Sequence, residues 1–304
     1  MKKNLVMIFT ALLLLILSAC GQTVSNDNKA NDIKTKENDN QNIASLSIHL
    51  TNDFLALGIT PVGSVVGGEL NDFLPHVKDQ LKDTKKLGPA KDPDMEALIA
   101  LDPSVIYIDK GISGEDISKY EDIAPTESFN LDEGTWRDHL KTIGKLVDRE
   151  QEAEDFIADY ETLTNDVKTL ADDELGETSK VMAIRVTAKE LRVFTTKRPL
   201  GPMLFEDLGF KPAAGIEELD STQPYEVISQ EVLPDFDADA IFVVVNSDDE
   251  AQTAFKQLEE SPIYQGLKAV KNKHVYVVSD QPWLDYSAIG NKLAMEEAKE
   301  LFTK

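Results

Sequence analysis

Three of the five arginines in this 304-residue chain, Arg185, Arg192 and Arg198, fall within the stretch RVTAKELRVFTTKRPLG at 185–201. Lys189 and Lys197 share that stretch with a single acid, Glu190, although the whole chain carries 55 acids against 31 bases and a formal charge of −24. A guanidinium is a planar fork of donors that matches carboxylates and other planar oxyanions. On so acidic a protein, an anionic small ligand has to be met by a local basic patch. Alternation along a strand sends Arg185 to the face opposite Ile184 and Val186, and gives Arg192 and Phe194 a common face. Lys197 and Arg198 precede Pro199, and a helix over 201–208 would add backbone donors beside them. Trp283 and Tyr286, in SDQPWLDYSAIG, offer flat apolar faces after the last expected strand. Lys189 falls at the hairpin tip and is left out. The alternative is a solvated hairpin, with Trp283 packed under a loop.

Other chemistry finds little support. The chain has no GxSxG, HExxH, GxxxxGK[ST] or GxGxxG motif, and Cys20 is its one cysteine. No catalytic residue is assigned, and the expectation is a protein that is not an enzyme. Sites for bare zinc or manganese need about three His and a carboxylate at one point. His49, His76, His139 and His274 lie in four separate segments, His49 within an expected strand and His139 on a helix, so no metal site is assigned. The acidic balance excludes nucleic acid, which requires a broad basic face.

The residues of interest sit on loops after expected strands. Short apolar runs at 46–50, 62–66, 105–108, 123–126, 181–186, 191–194, 240–246 and 274–278 alternate with helical patterns at 94–101, 136–147 and 248–258. Such alternation predicts an α/β fold with largely parallel sheets. Between the two halves, Ala153, Phe156, Ile157, Tyr160, Leu163, Val167, Leu170 and Ala171 recur at three- and four-residue steps. They mark one long helix over 148–175, with Asp148 and Gln151 in a capping arrangement and Gly176 as its stop. The expected organisation is therefore an N-terminal lobe at 45–147, a linker helix at 148–175 and a C-terminal lobe at 176–304. Ligands of open α/β sheets bind beyond the carboxyl ends of the strands, which here means the cleft between the lobes.

Residues 1–19 combine two lysines, a short apolar run and small residues, as a secretory signal does. LSAC at 17–20 matches the bacterial lipobox, so cleavage before Cys20 and lipidation of its thiol are expected, holding the protein on the outer face of the cell membrane. Residues 20–44, rich in Asn, Asp, Lys and Gln, are expected to act as a flexible tether.

From about Leu46 onward the chain resembles the ferric-siderophore substrate-binding lipoproteins of Gram-positive ABC iron importers. The resemblance rests on LALGITPVGSV, KLGPAKDPDMEALIALDPSVIYI, TWRDHLKTIGKLVDREQEAEDFIADY, RVFTTKRPLGPMLFEDLGF and YEVISQEVLPDFDADAIFVV, in that order behind the lipobox. It implies two α/β lobes joined by one long helix, the class III arrangement, acting as a monomer. It also implies an Fe(III)-siderophore ligand, with no cofactor held covalently apart from the lipid on Cys20. Glu96 and Glu231 match the family's positions for docking on the ABC permease, one on each lobe; each could instead serve only the dipole of its helix. By position, ligand contacts would come from Arg185, Arg192, Phe194, Arg198, Trp283 and Tyr286. The arginines favour a citrate or citrate-hydroxamate chelate. The alternatives are haem or a corrinoid, for which Met203 beside the patch offers an axial ligand, and bare zinc or manganese.

Overall fold

The computed structural model describes residues 42–67, 71–220 and 222–303. The expected signal, Cys20 and the tether up to residue 41 lie outside them.

Strands β1 (Ile43–Ser45), β2 (Gly63–Val66), β3 (Lys85–Pro89), β4 (Val105–Asp109) and β5 (Thr126–Phe129) form a parallel sheet in the order β3-β2-β1-β4-β5. The order reverses between β1 and β4, the switch point at which open α/β sheets leave a crevice. The stretch 46–50 is not the expected strand. Ser47 caps a helix, Ile48–Ala56, and its hydroxyl accepts from Leu50 N at 3.4 Å. Buried Leu50, Phe54 and Leu57 recur at helical spacing, and burying that stripe outweighs the two-residue alternation around His49. The strand expected at 123–126 begins later, as β5.

The second sheet holds β6 (Lys180–Val186), β7 (Leu191–Phe194), β8 (Lys211–Pro212), β9 (Tyr225–Ile228), β10 (Ala240–Val245) and β11 (Val275–Val278). Its order is β11-β10-β6-β7-β9, with β8 paired to the start of β6. β6, β10 and β11 run parallel, while β7 and β9 extend the sheet antiparallel. Every residue of β10 is buried, as its unbroken apolar run AIFVVV requires of a strand covered on both faces.

The long helix is Glu150–Leu175, 26 residues, or about 39 Å at 1.5 Å per residue. Ala153, Ile157, Tyr160, Val167 and Ala171 bury its stripe, and Gly176 stops it at φ +90°. The expected cap is absent: Arg149 holds the cap position, its side chain directed to Asp148 O and Glu152 and making no capping bond to the helix, and Asp148 turns the chain at φ +55°. Tyr160 donates to Asp207 Oδ2 at 2.7 Å, and Arg137 donates to Asp207 Oδ1 at 2.8 Å. Residues before, within and after the long helix thus meet at one carboxylate. A single apolar core runs from Phe54 and Tyr107 through Trp136 and Tyr160 to Met203 and Phe242. The C-terminal helix, Ala288–Leu301, returns to pack on both the first helix and the long helix. The α/β architecture in two lobes with one long helix is therefore the one expected.

Candidate ligand-binding cleft

A cleft of about 1000 Å³ lies where loops from both sheets converge. The first lobe contributes His49 after β1 and Leu131, Asp132, Gly134 and Thr135 after β5. The second contributes Thr196–Pro199 after β7, then Pro202, Phe205, Glu206 and Glu217, and Leu284 and Tyr286 follow β11. The first-lobe loops are carboxyl-end loops, as the switch-point rule requires; in the second lobe β7 runs antiparallel to β6, so the loop after it stands at the amino end of β6 and β10. The volume stands at the upper end of small-ligand pockets.

Of the six residues expected to touch a ligand, Arg198 and Tyr286 line this cleft. The Arg198 guanidinium pairs with Asp132 and lies 5.9 Å from the centre of the Tyr286 ring. Burial pushes the Tyr286 phenol above its ordinary pKa, so it stays a neutral donor near pH 7. The other four are placed elsewhere. Arg185 and Arg192 are directly opposed across β6 and β7, yet neither lines the cleft. Arg185 Nε donates to Asn246 Oδ1 at 2.8 Å. Arg192 is drawn to Glu190, at 2.8 and 2.7 Å, and lies over Tyr225 at 4.3 Å. Phe194 and Trp283 are core residues, 3 % and 2 % exposed. Trp283 packs on Phe242 at 5.5 Å and donates from Nε1 to Glu297 Oε2 at 2.9 Å. Met203 is also buried in the core, so it presents no axial sulfur to the cleft.

The charge balance differs from the expected basic wall. Lys197 and Arg198 face Asp132, Glu206 and Glu217 in the same lining. The hairpin arginines are held by their own acid and amide partners, which leaves the loop after β7 to supply the cationic groups.

Behind His49 is a polar node that sequence reading missed. Asp285 is fully buried, and its carboxylate is reached by His49 Nδ1 at 3.0 Å, His76 Nε2 at 2.9 Å, Asn52 Nδ2 at 2.7 Å and Ser287 Oγ at 2.9 Å. Burial alone would raise the Asp285 pKa; the hydrogen bonds from His49 and His76 outweigh it and hold the carboxyl well below the usual range. Asp53, also fully buried, accepts from Ala288 N at 2.8 Å. Burial pushes its pKa well up, the Ala288 bond opposes this and the charge of Asp285 adds to it. Among the described residues, no group of three or more His, Cys, Asp or Glu is placed to hold a metal ion. No helix there is long and apolar enough to cross a membrane.

Glu96 and Glu231 are exposed, each in the first turn of a short helical segment, Met95–Ala100 and Gln230–Phe236. Ile99 and Val232 beside them are exposed apolar side chains.

The fold and the cleft between its lobes are those of a solute-binding protein, and the chain belongs to the periplasmic binding protein family, whose profile matches residues 43–282. It is a binding protein, not an enzyme, and its expected kinship with siderophore-binding lipoproteins of Gram-positive ABC iron uptake systems is borne out. It is 30 % identical over 304 residues to the probable siderophore-binding lipoprotein YfiY of Bacillus subtilis, covering 93 % of each chain. It is 29 % identical over 289 residues to the iron(3+)-hydroxamate-binding protein FhuD of the same organism, covering 88 % of this chain and 87 % of that one. The crystal structure of Staphylococcus aureus SirA complexed with staphyloferrin B superposes with a TM-score of 0.74 at 25 % identity, over 86 % of this chain and 93 % of that one.

Proposed function

We propose that this protein is a receptor, anchored on the outer face of the membrane by lipid on Cys20, that captures a ferric siderophore and hands it to an ABC permease for iron uptake. The observation that carries this reading is the cleft of about 1000 Å³ between helix-linked lobes, with Arg198 resting on Tyr286 at its wall. The siderophore-binding names of its relatives support the ligand class.

Within that class, Lys197 and Arg198 suit a chelate with free carboxylates. Three carboxylates in the same lining limit the negative charge the cleft can accept. That balance favours a citrate-hydroxamate chelate over ferric citrate itself. Recognition is noncovalent, by charge complementarity and packing on Tyr286, Phe205 and Leu131 in a pocket largely formed beforehand. Glu96 and Glu231 serve as the two docking points for permease cations, with Ile99 and Val232 adding apolar contact.

The test is tryptophan fluorescence titrated with ferric citrate, a citrate-hydroxamate chelate, ferrioxamine, haem and zinc. Quenching by a ferric chelate at low ligand concentration is expected. A response to zinc or haem alone overturns the reading. For docking, Glu96→Ala with Glu231→Ala should abolish iron uptake by cells and leave chelate affinity unchanged; a fall in affinity would count against that role.

A further inference from the structure

We propose that His49 is a ligand-contacting and specificity-determining side chain of the first lobe, oriented toward the chelate by the buried carboxylate of Asp285; this rests on the reading of the cleft as a siderophore site.

His49 stands in the first turn of the helix after β1, beside the switch point of the first sheet. It lines the cleft with its side chain 28 % exposed, so it is neither a surface residue nor a core one. Its Nδ1 is 3.0 Å from Asp285 Oδ1. An ionised carboxylate only accepts, so the Nδ1 proton points toward Asp285 and the ring cannot rotate without losing a buried bond. Nε2 has no hydrogen-bond partner among the described residues. In the neutral ring it accepts from a ligand O–H or N–H; in the protonated ring it donates to a ligand oxygen. Either way one ring nitrogen is committed to the protein and the other is free for the oxygen-rich shell of a ferric chelate. A carboxylate behind a histidine that fixes its tautomer and orientation is a recurrent way to prepare the ring, as at metal sites.

His76 provides the internal comparison. It contacts the same carboxylate, through Nε2 at 2.9 Å, but does not line the cleft. Its part is confined to holding Asp285. First-lobe recognition therefore depends on which histidine reaches the ligand, and only His49 does.

The experiment compares wild type with His49→Asn and His76→Gln, each checked for folding by circular dichroism and titrated with ferric citrate, a citrate-hydroxamate chelate and ferrioxamine. Asn at 49 can still donate to Asp285 but lacks the cleft-facing nitrogen, while Gln at 76 can still reach Asp285. The expected result is about tenfold weaker binding of the best chelate by His49→Asn, the size of one lost hydrogen bond, and unchanged binding by His76→Gln. Unchanged affinity in His49→Asn overturns the inference and leaves the siderophore reading intact. Equal weakening in both variants also overturns it, because the effect then comes from the node and not from ligand contact. If wild type binds no ferric chelate, the functional reading falls, and this inference with it.

Discussion

His76 Nε2 lies 2.9 Å from Asp285 Oδ2, joining residues 209 positions apart. Their meeting brings the segment after β11 back onto the first lobe, where His49 and Asn52 bind the same carboxylate.

Removing that carboxylate should therefore be costly. Asp285→Ala leaves two histidines, Asn52 and Ser287 without their buried acceptor, and a loss of ~3–5 kcal/mol in unfolding free energy is expected. Because the folded carboxyl titrates below the unfolded one, its stabilisation is fully present above the unfolded pKa, near 4, and fades as pH falls through the folded value. Chemical denaturation of wild type and variant should thus show the widest gap at pH 7 and a narrowing gap toward pH 2.

Asp53 has the opposite sign. Its folded pKa is raised, so relative stability is full below the unfolded pKa and is lost as pH rises toward the folded value. Asn at this position keeps an acceptor for Ala288 N and carries no charge. The melting temperature of Asp53→Asn should gain on wild type between pH 4 and pH 8; a constant difference would contradict this.

The Arg198–Asp132 pair predicts a gain of affinity. Asp132→Asn releases the guanidinium for the ligand, so a carboxylate-bearing chelate should bind a few-fold tighter, while Arg198→Ala should bind it about tenfold or more weakly. Arg185→Ala, tied to Asn246 outside the cleft, should lower thermal stability and leave the titration unchanged.

Gly290 has a steric role at the same node. A Cβ there would sit 2.0 Å from Asp285 O and 2.7 Å from the Asp285 side chain. Gly290→Ala should cost ~1–3 kcal/mol, as overpacking does, and displace Asp285 from its histidines. A combined Asp285→Ala, Gly290→Ala variant should be less destabilised than the sum of the two, since both act on one node.

Features carried by long, continuous patterns could be read from the sequence. The stripe of the long helix and the apolar runs of β6 and β10 extend far enough to exclude other periods. Two edge strands could not be read, although the edge strand β11 lies within the expected run 274–278: β3, KKLGP, buries only Leu87, and the residues of β9, YEVI, are at most half-buried. At the cleft, Arg198 and Tyr286 were legible because they follow strands closely. His49 was not, since a few residues around it fit either a strand or the first turn of a helix. The Ser47 cap with Leu50, Phe54 and Leu57 was the signal that could have settled it. Arg185 and Arg192 have the expected strand positions, but hydrogen bonds to Asn246 and Glu190 determine where a guanidinium points, and strand parity carries no trace of such partners.

The return of the C-terminal helix has a consequence for the protein's outline. Met295 and Ala298 are wholly buried beside the long helix and the first helix. Wide parting of the lobes would expose such surface at a cost of roughly 25 cal/mol per Å². Empty and loaded protein should consequently have nearly the same radius of gyration in solution scattering. A transporter would then read occupancy from the rim of the cleft rather than from a wide movement of the lobes.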